Sequence, residues 1–169
     1  MLKNMLLESN AIKFGDFTLT YGRKTNFFVS IKEFSTDPKA LGMLAEELSK
    51  YVRADMVAGV ELGAVPLLVA VSLKRNVPFT IVRKKYEHGT KDLVIGKIKE
   101  GQKIDIIEDV VSSGNSILNA ARLLRGRGAG ISRAICVVDR EEGGSELLKN
   151  NEIELISLVR RGEIIDAYP

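Results

Sequence analysis

Ile106-Ile-Glu-Asp-Val-Val-Ser-Ser-Gly-Asn-Ser-Ile117 is the stretch of this 169-residue chain that says most about its fold. An apolar strand is predicted to lead into two adjacent carboxylates, Glu108 and Asp109, and a helix is predicted around residues 117–124. The turn between them, Ser112–Ser116, supplies hydroxyl groups and a glycine. Glycine allows a close approach of a ligand to the backbone, and the N–H groups at the start of a helix form a cradle for phosphate. The stretch therefore predicts a strand–turn–helix unit that binds a phosphorylated ligand.

The two carboxylates indicate what is attached to that phosphate. They would repel a phosphate that touched them, but they suit the hydroxyl groups of a sugar joined to it, or its metal ion. The turn has neither the Gly-Lys-[Ser/Thr] ending of a P-loop nor the G-x-G-x-x-G of a dinucleotide site. A purely structural interpretation stays open, in which Ser or Asn caps the helix and the acids complement its dipole.

Strands and helices alternate on both sides of this stretch. Short apolar runs predict five buried strands, at residues 56–60, 79–82, 103–107, 135–138 and 153–159. This alternation is typical of a parallel sheet covered by helices on both faces. We therefore expect an α/β fold with a Rossmann-like central parallel sheet. Ligands bind such sheets beyond the carboxyl ends of the strands, which directs attention to the loops that follow them.

The remaining elements are shorter or less regular. Asp37-Pro38 predicts the start of a helix, because Asp is a capping residue and Pro favours the first turn. We find no repeat or linker, so residues 1–169 are interpreted as a single domain. Helices are also predicted at 2–12, 65–73 and 146–149, strands at 17–19 and 27–31, and an irregular or β flap at 93–98.

Composition excludes several classes of protein. With 45% hydrophobic and 28% charged residues, the chain is neither disordered nor collagen-like. The longest apolar stretch, residues 64–73, is about half of what spans a bilayer. The single cysteine, Cys136, allows no internal disulfide and lies in an apolar run, so we interpret it as core and expect a cytoplasmic protein.

The net charge of +3 comes from one segment. Residues 71–103 carry nine basic and three acidic side chains, a surplus of six positive charges, so the rest of the chain is negative. This concentration favours a small polyanionic ligand bound in one place over a long nucleic-acid backbone. The alternative is a solvated basic loop without a ligand.

Five segments resemble a known family. Glu108-Asp-Val-Val-Ser-Ser-Gly-Asn-Ser116 resembles the phosphoribosyl-pyrophosphate signature of the type I phosphoribosyltransferases. Four others resemble the orotate phosphoribosyltransferase branch, in order along residues 10–160. They are Gly15-Asp-Phe-Thr-Leu-Thr-Tyr-Gly-Arg-Lys-Thr25, Gly59-Val-Glu-Leu-Gly-Ala-Val-Pro66, Val82-Arg-Lys-Lys-Tyr-Glu-His-Gly-Thr90 and Val138-Asp-Arg-Glu-Glu-Gly-Gly144.

The resemblance implies a type I phosphoribosyltransferase fold with a small N-terminal hood, from about residues 1–35 plus the C-terminal end. It also implies transfer of a phosphoribosyl group to N1 of orotate, with Mg²⁺ as cofactor, in a homodimer whose basic loop reaches the neighbouring subunit. We expect Mg²⁺ to be held by substrate oxygens and water rather than directly by the protein. The alternatives are a transferase for another base, such as a purine, and a non-catalytic regulator of the same fold.

The resemblance assigns a role to each matching residue. Glu108 and Asp109 would hold the ribose hydroxyls, and the turn would wrap the 5′-phosphate. Lys85, His88 and Asp109 are the expected catalytic residues. The expected residues for phosphoribosyl pyrophosphate are Gly63, Ala64, Arg83, Lys84, Lys85, His88, Glu108, Asp109, Val110, Val111, Ser112, Ser113, Gly114, Asn115 and Ser116.

The basic loop departs from the family pattern. It is one residue shorter than the common Arg-Lys-x-x-Lys-x-His-Gly and has Glu87 directly before the histidine. Lys85 is the expected catalytic lysine, with Lys91 as a fallback. His88 is the only histidine of the chain, and a lone histidine is often merely structural.

Arg140, Ser112 and Phe28 are the expected orotate-binding residues. A guanidinium group is the natural partner of a planar carboxylate, since it donates two parallel hydrogen bonds. The alternative for Arg140 is a surface salt bridge with Glu141 or Glu142, and Phe28 would equally fit a simple core position.

Overall fold

The protein was analysed as a computed structural model that describes residues 2–9, 11–18, 24–84 and 92–165. The strands are β1 (Ile12–Thr18), β2 (Lys24–Val29), β3 (Met56–Val60), β4 (Phe79–Val82), β5 (Val94–Ile95), β6 (Lys103–Val111), β7 (Gly130–Asp139) and β8 (Glu154–Arg160). The helices are α1 (Leu2–Glu8), α2 (Ile31–Phe34), α3 (Pro38–Ser49), α4 (Ala64–Arg75), α5 (Asn115–Arg125), α6 (Gly144–Lys149) and α7 (Arg161–Ile165).

The main sheet has six strands in the order β5-β4-β3-β6-β7-β8. All neighbours pair in parallel except β4 and β5, which are antiparallel. The five predicted strands are all present, and the expected α/β fold is confirmed. The sheet is mixed rather than wholly parallel, because the predicted flap adds an antiparallel edge strand. β1 and β2 form a separate two-stranded antiparallel sheet.

Helices cover both faces of the main sheet, each over its own apolar cluster. One face packs against α3, α4 and the N-terminal segment, with Leu44, Leu48 and Leu67 fully buried. The other face packs against α5, whose buried Ile117 and Leu124 lie on one side of the helix. Within the described ranges, no helix is both long and apolar enough to cross a bilayer.

The structure confirms the predicted start of α3, where Asp37 caps the helix by accepting a hydrogen bond of 2.8 Å from the N–H of Ala40. Several predicted boundaries near the N-terminus were wrong, since β1 begins at Ile12 rather than residue 17 and β2 begins at Lys24 rather than residue 27. The first helix ends at Glu8 rather than Ile12, because Ile12 pairs with Val29 and so begins β1. Ile31 belongs to the short helix α2 and not to the preceding strand.

The predicted end of the third sheet strand was also wrong, and this correction concerns the candidate site. β6 continues to Val111 because its pairing with β7 extends to Val111 opposite Asp139. Glu108 and Asp109 therefore lie inside the strand rather than in the loop after it. A strand fixes their backbone more firmly than a loop would.

Candidate active site

A cavity of about 340 Å³ lies at the carboxyl edge of the main sheet, below the two-stranded sheet. Four loops meet there, those after β3, β4, β6 and β7, as the sequence predicts for a parallel sheet. The lining includes nine of the predicted site residues: Phe28, Gly63, Lys84, Glu108, Asp109, Val110, Ser112, Ser116 and Arg140. It also includes five that the sequence did not single out: Val29, Ser30, Ile31, Lys32 and Glu61.

The turn after β6 encloses a second cavity, of about 190 Å³. It is lined by Glu108 and by residues 110–117, so Val111, Ser113, Gly114 and Asn115 also face it. Gly114 has a φ of +77° and is the residue that precedes α5, with no side-chain cap. The helix-capping interpretation of this turn is therefore wrong, because a glycine stands at the cap. The loop leaves hydroxyl groups and a helix start around a space suited to a phosphate group.

A second glycine segment supports this turn from outside. The N–H of Gly144, at the start of α6, donates a hydrogen bond of 3.0 Å to the carbonyl oxygen of Ser112. A Cβ atom added at Gly144 would lie 2.6 Å from that same oxygen. Only a glycine fits this close backbone approach, so Gly144 is needed to hold the turn in its present shape.

The acidic pair is buried side by side. Glu108 and Asp109 are 6% and 9% exposed, and the Asp109 N–H donates to Oε1 of Glu108 at 3.1 Å. The N–H of Val110 donates to Oδ1 of Asp109 at 2.9 Å, which fixes that carboxyl group. Burial raises the pKa of Glu108 well above its ordinary value, and hydrogen bonding and repulsion from Asp109 raise it further. The site therefore disfavours two full negative charges before a ligand binds.

This raised pKa gives a pH-dependent stability. A carboxyl group whose pKa is higher in the folded state stabilises the fold below its ordinary value of 4.5 and loses that contribution as pH rises through the folded-state pKa. Glu108→Gln, which mimics the protonated form, should therefore melt at a higher temperature than the wild type at pH 8. Melting curves from pH 4.5 to 8 should show the difference growing with pH. A difference that stays constant over this range would contradict the assignment.

Gly63 brings the loop after β3 against the acidic pair. A Cβ atom at this position would lie 2.5 Å from Cγ of Asp109 and 2.7 Å from Cε of Lys32. The φ of Gly63 is −61°, so space rather than backbone conformation requires the glycine here. Ala64, which was also predicted to bind phosphoribosyl pyrophosphate, is fully buried behind Gly63 and is not among the residues that line the cavity.

Arg140 also lines the cavity. Its Nη2 atom lies 3.0 Å from Oε1 of Glu142, and its guanidinium group lies 4.9 Å from the ring centre of Phe27. The predicted alternative, a salt bridge with Glu142, is thus real, but it is buried and leaves Arg140 on the cavity wall. The pair and the ring fix the orientation of the guanidinium group.

The two neighbouring phenylalanines have different roles. Phe28 is 37% exposed, lines the cavity and packs against Phe17 with ring centres 5.7 Å apart, so its interpretation as a core residue was wrong. Phe27 is fully buried and supports Arg140 instead. Successive residues of a strand point to opposite faces. The sequence therefore predicts that one of these two rings is buried and the other exposed, but it does not predict which one is buried.

The described part of the basic segment begins at the end of β4. The N–H of Arg83 donates to the carbonyl oxygen of Leu93 at 2.7 Å, and the N–H of Lys84 donates to Oε1 of Glu61 at 2.7 Å. Glu61 thus links the loop after β3 to the start of the basic segment, a contact that no local sequence signal predicts. Lys85, His88 and the fallback Lys91 lie outside the described residues, so their roles stay predictions.

A larger cavity, of about 540 Å³, lies elsewhere, between α1, α2 and the start of α3. It is lined by residues such as Met5, Glu8, Lys13 and Lys39, and by none of the predicted site residues. The smaller cavity carries the convergent polar groups, the buried acidic pair and the perturbed carboxyl group. These features distinguish a reactive site from a surface depression.

Comparisons with known proteins agree with this geometry. A family model described as the phosphoribosyl transferase domain matches residues 30–158. The chain is 51% identical over 164 residues to orotate phosphoribosyltransferase of Thermoplasma volcanium, covering 97% of this chain and 99% of that protein. Orotate phosphoribosyltransferase from Aeropyrum pernix has a similar structure, with a TM-score of 0.87, 28% identity and coverage of 99% and 97% of the two chains. Leishmania donovani UMP synthase matches with a TM-score of 0.86 and 26% identity, over 99% of this chain and 37% of that one.

Proposed function

The chain belongs to the phosphoribosyl transferase family, and from this membership we propose that it is an orotate phosphoribosyltransferase of pyrimidine (UMP) biosynthesis. In this reaction N1 of orotate gives up its proton to solvent and bonds to C1 of phosphoribosyl pyrophosphate, while the C1–oxygen bond breaks and its electron pair leaves with pyrophosphate. The product is orotidine 5′-monophosphate. The observation that carries the proposal is the cavity lined by the acidic pair, Arg140 and two residues of the phosphate turn, Ser112 and Ser116, next to the second cavity that this turn encloses.

The ribose phosphate fits the side of the cavity formed by β6 and its turn. The turn Ser112–Ser116 surrounds a space of phosphate size at the start of a helix. Glu108 and Asp109 lie next to it on a rigid strand, where a pair of ribose hydroxyl groups would follow the phosphate. Hydrogen bonds from the ribose hydroxyl groups would stabilise the negative charge of the two buried carboxylates, which is unfavourable without such donors.

Orotate fits the side formed by Arg140 and Phe28. A planar acid offers the guanidinium group a carboxylate to bind, whereas a neutral purine does not. Phe28 offers an exposed ring edge to the base. A transferase for another base is therefore the weaker alternative.

The leaving group carries several negative charges, which cations placed nearby stabilise as the bond breaks. Lys84 lines the cavity, and we assign Arg83, Lys85 and His88 to the same task. Mg²⁺ bound to the pyrophosphate would neutralise part of its charge. Among the described residues no three His, Cys, Asp or Glu side chains cluster closely enough to hold a metal ion.

The proposed activity is tested by the loss of orotate absorbance on mixing the protein with phosphoribosyl pyrophosphate and Mg²⁺. Turnover of orotate, with none of adenine or guanine, supports the proposal. Turnover of a purine but not of orotate would refute the choice of base, and no turnover of any base would favour the regulator. The cytoplasmic location stays a prediction from composition.

We further propose that the protein is a homodimer joined through the exposed face of α4. Val69 and Leu73, one turn apart on α4, are 37% and 78% exposed, and Leu62, in the loop just before the helix, is 72% exposed; we call these three residues the apolar stripe. The stripe begins beside Gly63, in the loop that lines the cavity. The strand after α4, β4, leads directly into the basic segment. A second copy packed on this stripe would therefore lie within reach of the basic loop.

Mixing two impaired variants, assayed at an orotate concentration well below the raised KM of Arg140→Ala, tests the dimer and the loop together. Arg140→Ala keeps an intact basic loop, and His88→Ala keeps an intact Arg140. If the loop acts across the dimer, random re-association gives half mixed dimers with one intact site of two, so activity returns to about a quarter of the wild type. A loop that acts within its own subunit would restore none. Adding Leu73→Glu to both variants should prevent the recovery.

A further inference from the structure

Lys32 lines the cavity, but the sequence signals did not select it as a site residue and the proposed reaction gives it no role. It lies in α2, the four-residue helix that follows β2. Its neighbours Ile31 and Phe34 are 1% and 9% exposed and anchor this helix in the core. The hydroxyl of Ser35 donates a hydrogen bond of 2.9 Å to the carbonyl oxygen of Lys32. The backbone of Lys32 is therefore fixed, while its side chain is exposed and lines the cavity.

The side chain of Lys32 crosses the loop that follows β3. The point where a Cβ of Gly63 would stand is 2.7 Å from Cε of Lys32 and 2.5 Å from Cγ of Asp109. Lys32 and Asp109 thus lie against the same small space, on either side of Gly63. Because Gly63 has no side chain, the end of the Lys32 side chain can occupy the space next to the backbone of this loop.

The charges around the cavity leave the ammonium group of Lys32 available. Glu61, Glu108 and Asp109 are the acids of the lining, and Arg140 is already paired with Glu142. Among the described residues no carboxylate oxygen lies within ion-pair distance of the Lys32 ammonium group. An ammonium group that lies near carboxylates but forms no ion pair with them can bind an anionic ligand.

We propose that Lys32 is a pyrophosphate-binding residue, which holds the leaving group of phosphoribosyl pyrophosphate beside the loop of Gly63. This inference rests on the proposed function. When Asp109 holds the ribose, the pyrophosphate on C1 lies next to the loop of Gly63, where Lys32 ends. As the C1–oxygen bond breaks, the electron pair moves to the pyrophosphate oxygen, and the ammonium group stabilises the added charge.

Calorimetric titration with two separate ligands tests the proposal without turnover. In Lys32→Ala, the Kd for magnesium pyrophosphate should rise about tenfold, the loss expected for one charge-assisted contact. The Kd for ribose 5-phosphate should change by less than about twofold. Lys32→Arg should retain most of the pyrophosphate affinity. Lys39→Ala removes the same charge from the start of α3, beside the larger cavity, and should leave both constants unchanged.

Steady-state rates provide the second measurement. Lys32→Ala should raise the KM for phosphoribosyl pyrophosphate about tenfold and leave the KM for orotate within about twofold. An equal weakening of ribose 5-phosphate binding would overturn the proposal, because Lys32 would then act by positioning Asp109. Unchanged pyrophosphate affinity in Lys32→Ala would also overturn it. A wild type that binds pyrophosphate through Lys32 but does not consume orotate would refute the proposed function instead.

Discussion

Gly63→Ala should lower kcat/KM by at least about 100-fold while the protein stays folded, since a displacement of about 1 Å in a reactive site costs this much. The added methyl group would overlap the carboxyl group of Asp109, whose Cγ would be only 2.5 Å away. Asp109 has little freedom to give way, because it is buried and its Oδ1 already accepts a hydrogen bond from the N–H of Val110. Either the acid or the loop after β3 must move, and both line the cavity.

The matched control is Gly42→Ala. Gly42 lies within α3, and a Cβ there would meet no atom within 4 Å. Alanine at this position should stabilise the protein by about 0.5–1 kcal/mol, since glycine is the poorer helix former, and should leave the rate unchanged. Steady-state kinetics and melting temperatures of the two variants give the comparison. A Gly63→Ala variant within about threefold of the wild-type rate would show that the contact relaxes without cost.

The architecture was predictable because it depends on patterns that each segment carries by itself. The five apolar runs predicted the strands of the main sheet, and the carboxyl-edge rule for parallel sheets located the cavity. The third strand was predicted too short because Glu108 and Asp109 are polar. In the structure the backbone of β6 stays paired with β7 through both residues, since the hydrogen bonds between strands are made by the backbone and not by the side chains.

Contacts between distant segments were not predictable in this way. Lys32 stands between Ile31 and Glu33, and this pattern does not distinguish it from an ordinary solvated lysine. Its position becomes informative only when α2 is packed across Gly63, which is 31 residues further along the chain. The link from Glu61 to the N–H of Lys84 depends likewise on β3 and β4 lying side by side.

Arg140→Ala should raise the KM for orotate by about 10- to 100-fold, since hydrogen bonds to a charged group contribute about 1.5–3 kcal/mol each. The KM for phosphoribosyl pyrophosphate should stay within about threefold, because the phosphate turn and the acidic pair are left intact. Arg140→Lys should recover only part of the affinity, as an ammonium group keeps the charge but not the two parallel donors. Arg133→Ala is the matched control, since Arg133 lies on β7, the strand that Arg140 follows, and pairs with the exposed Glu154.

Loss of Arg140 also removes the ion pair with Glu142, whose side chain is 11% exposed, and this could weaken binding by disturbing the wall of the cavity rather than by removing a ligand contact. The double variant Arg140→Ala/Glu142→Gln separates the two causes, because it removes the negative charge of Glu142 as well. If Arg140 binds orotate, the double variant should melt at a higher temperature than Arg140→Ala and yet keep its raised KM for orotate. Recovery of the wild-type KM in the double variant, or equal increases for both substrates in Arg140→Ala, would refute the role of Arg140 in selecting the acid.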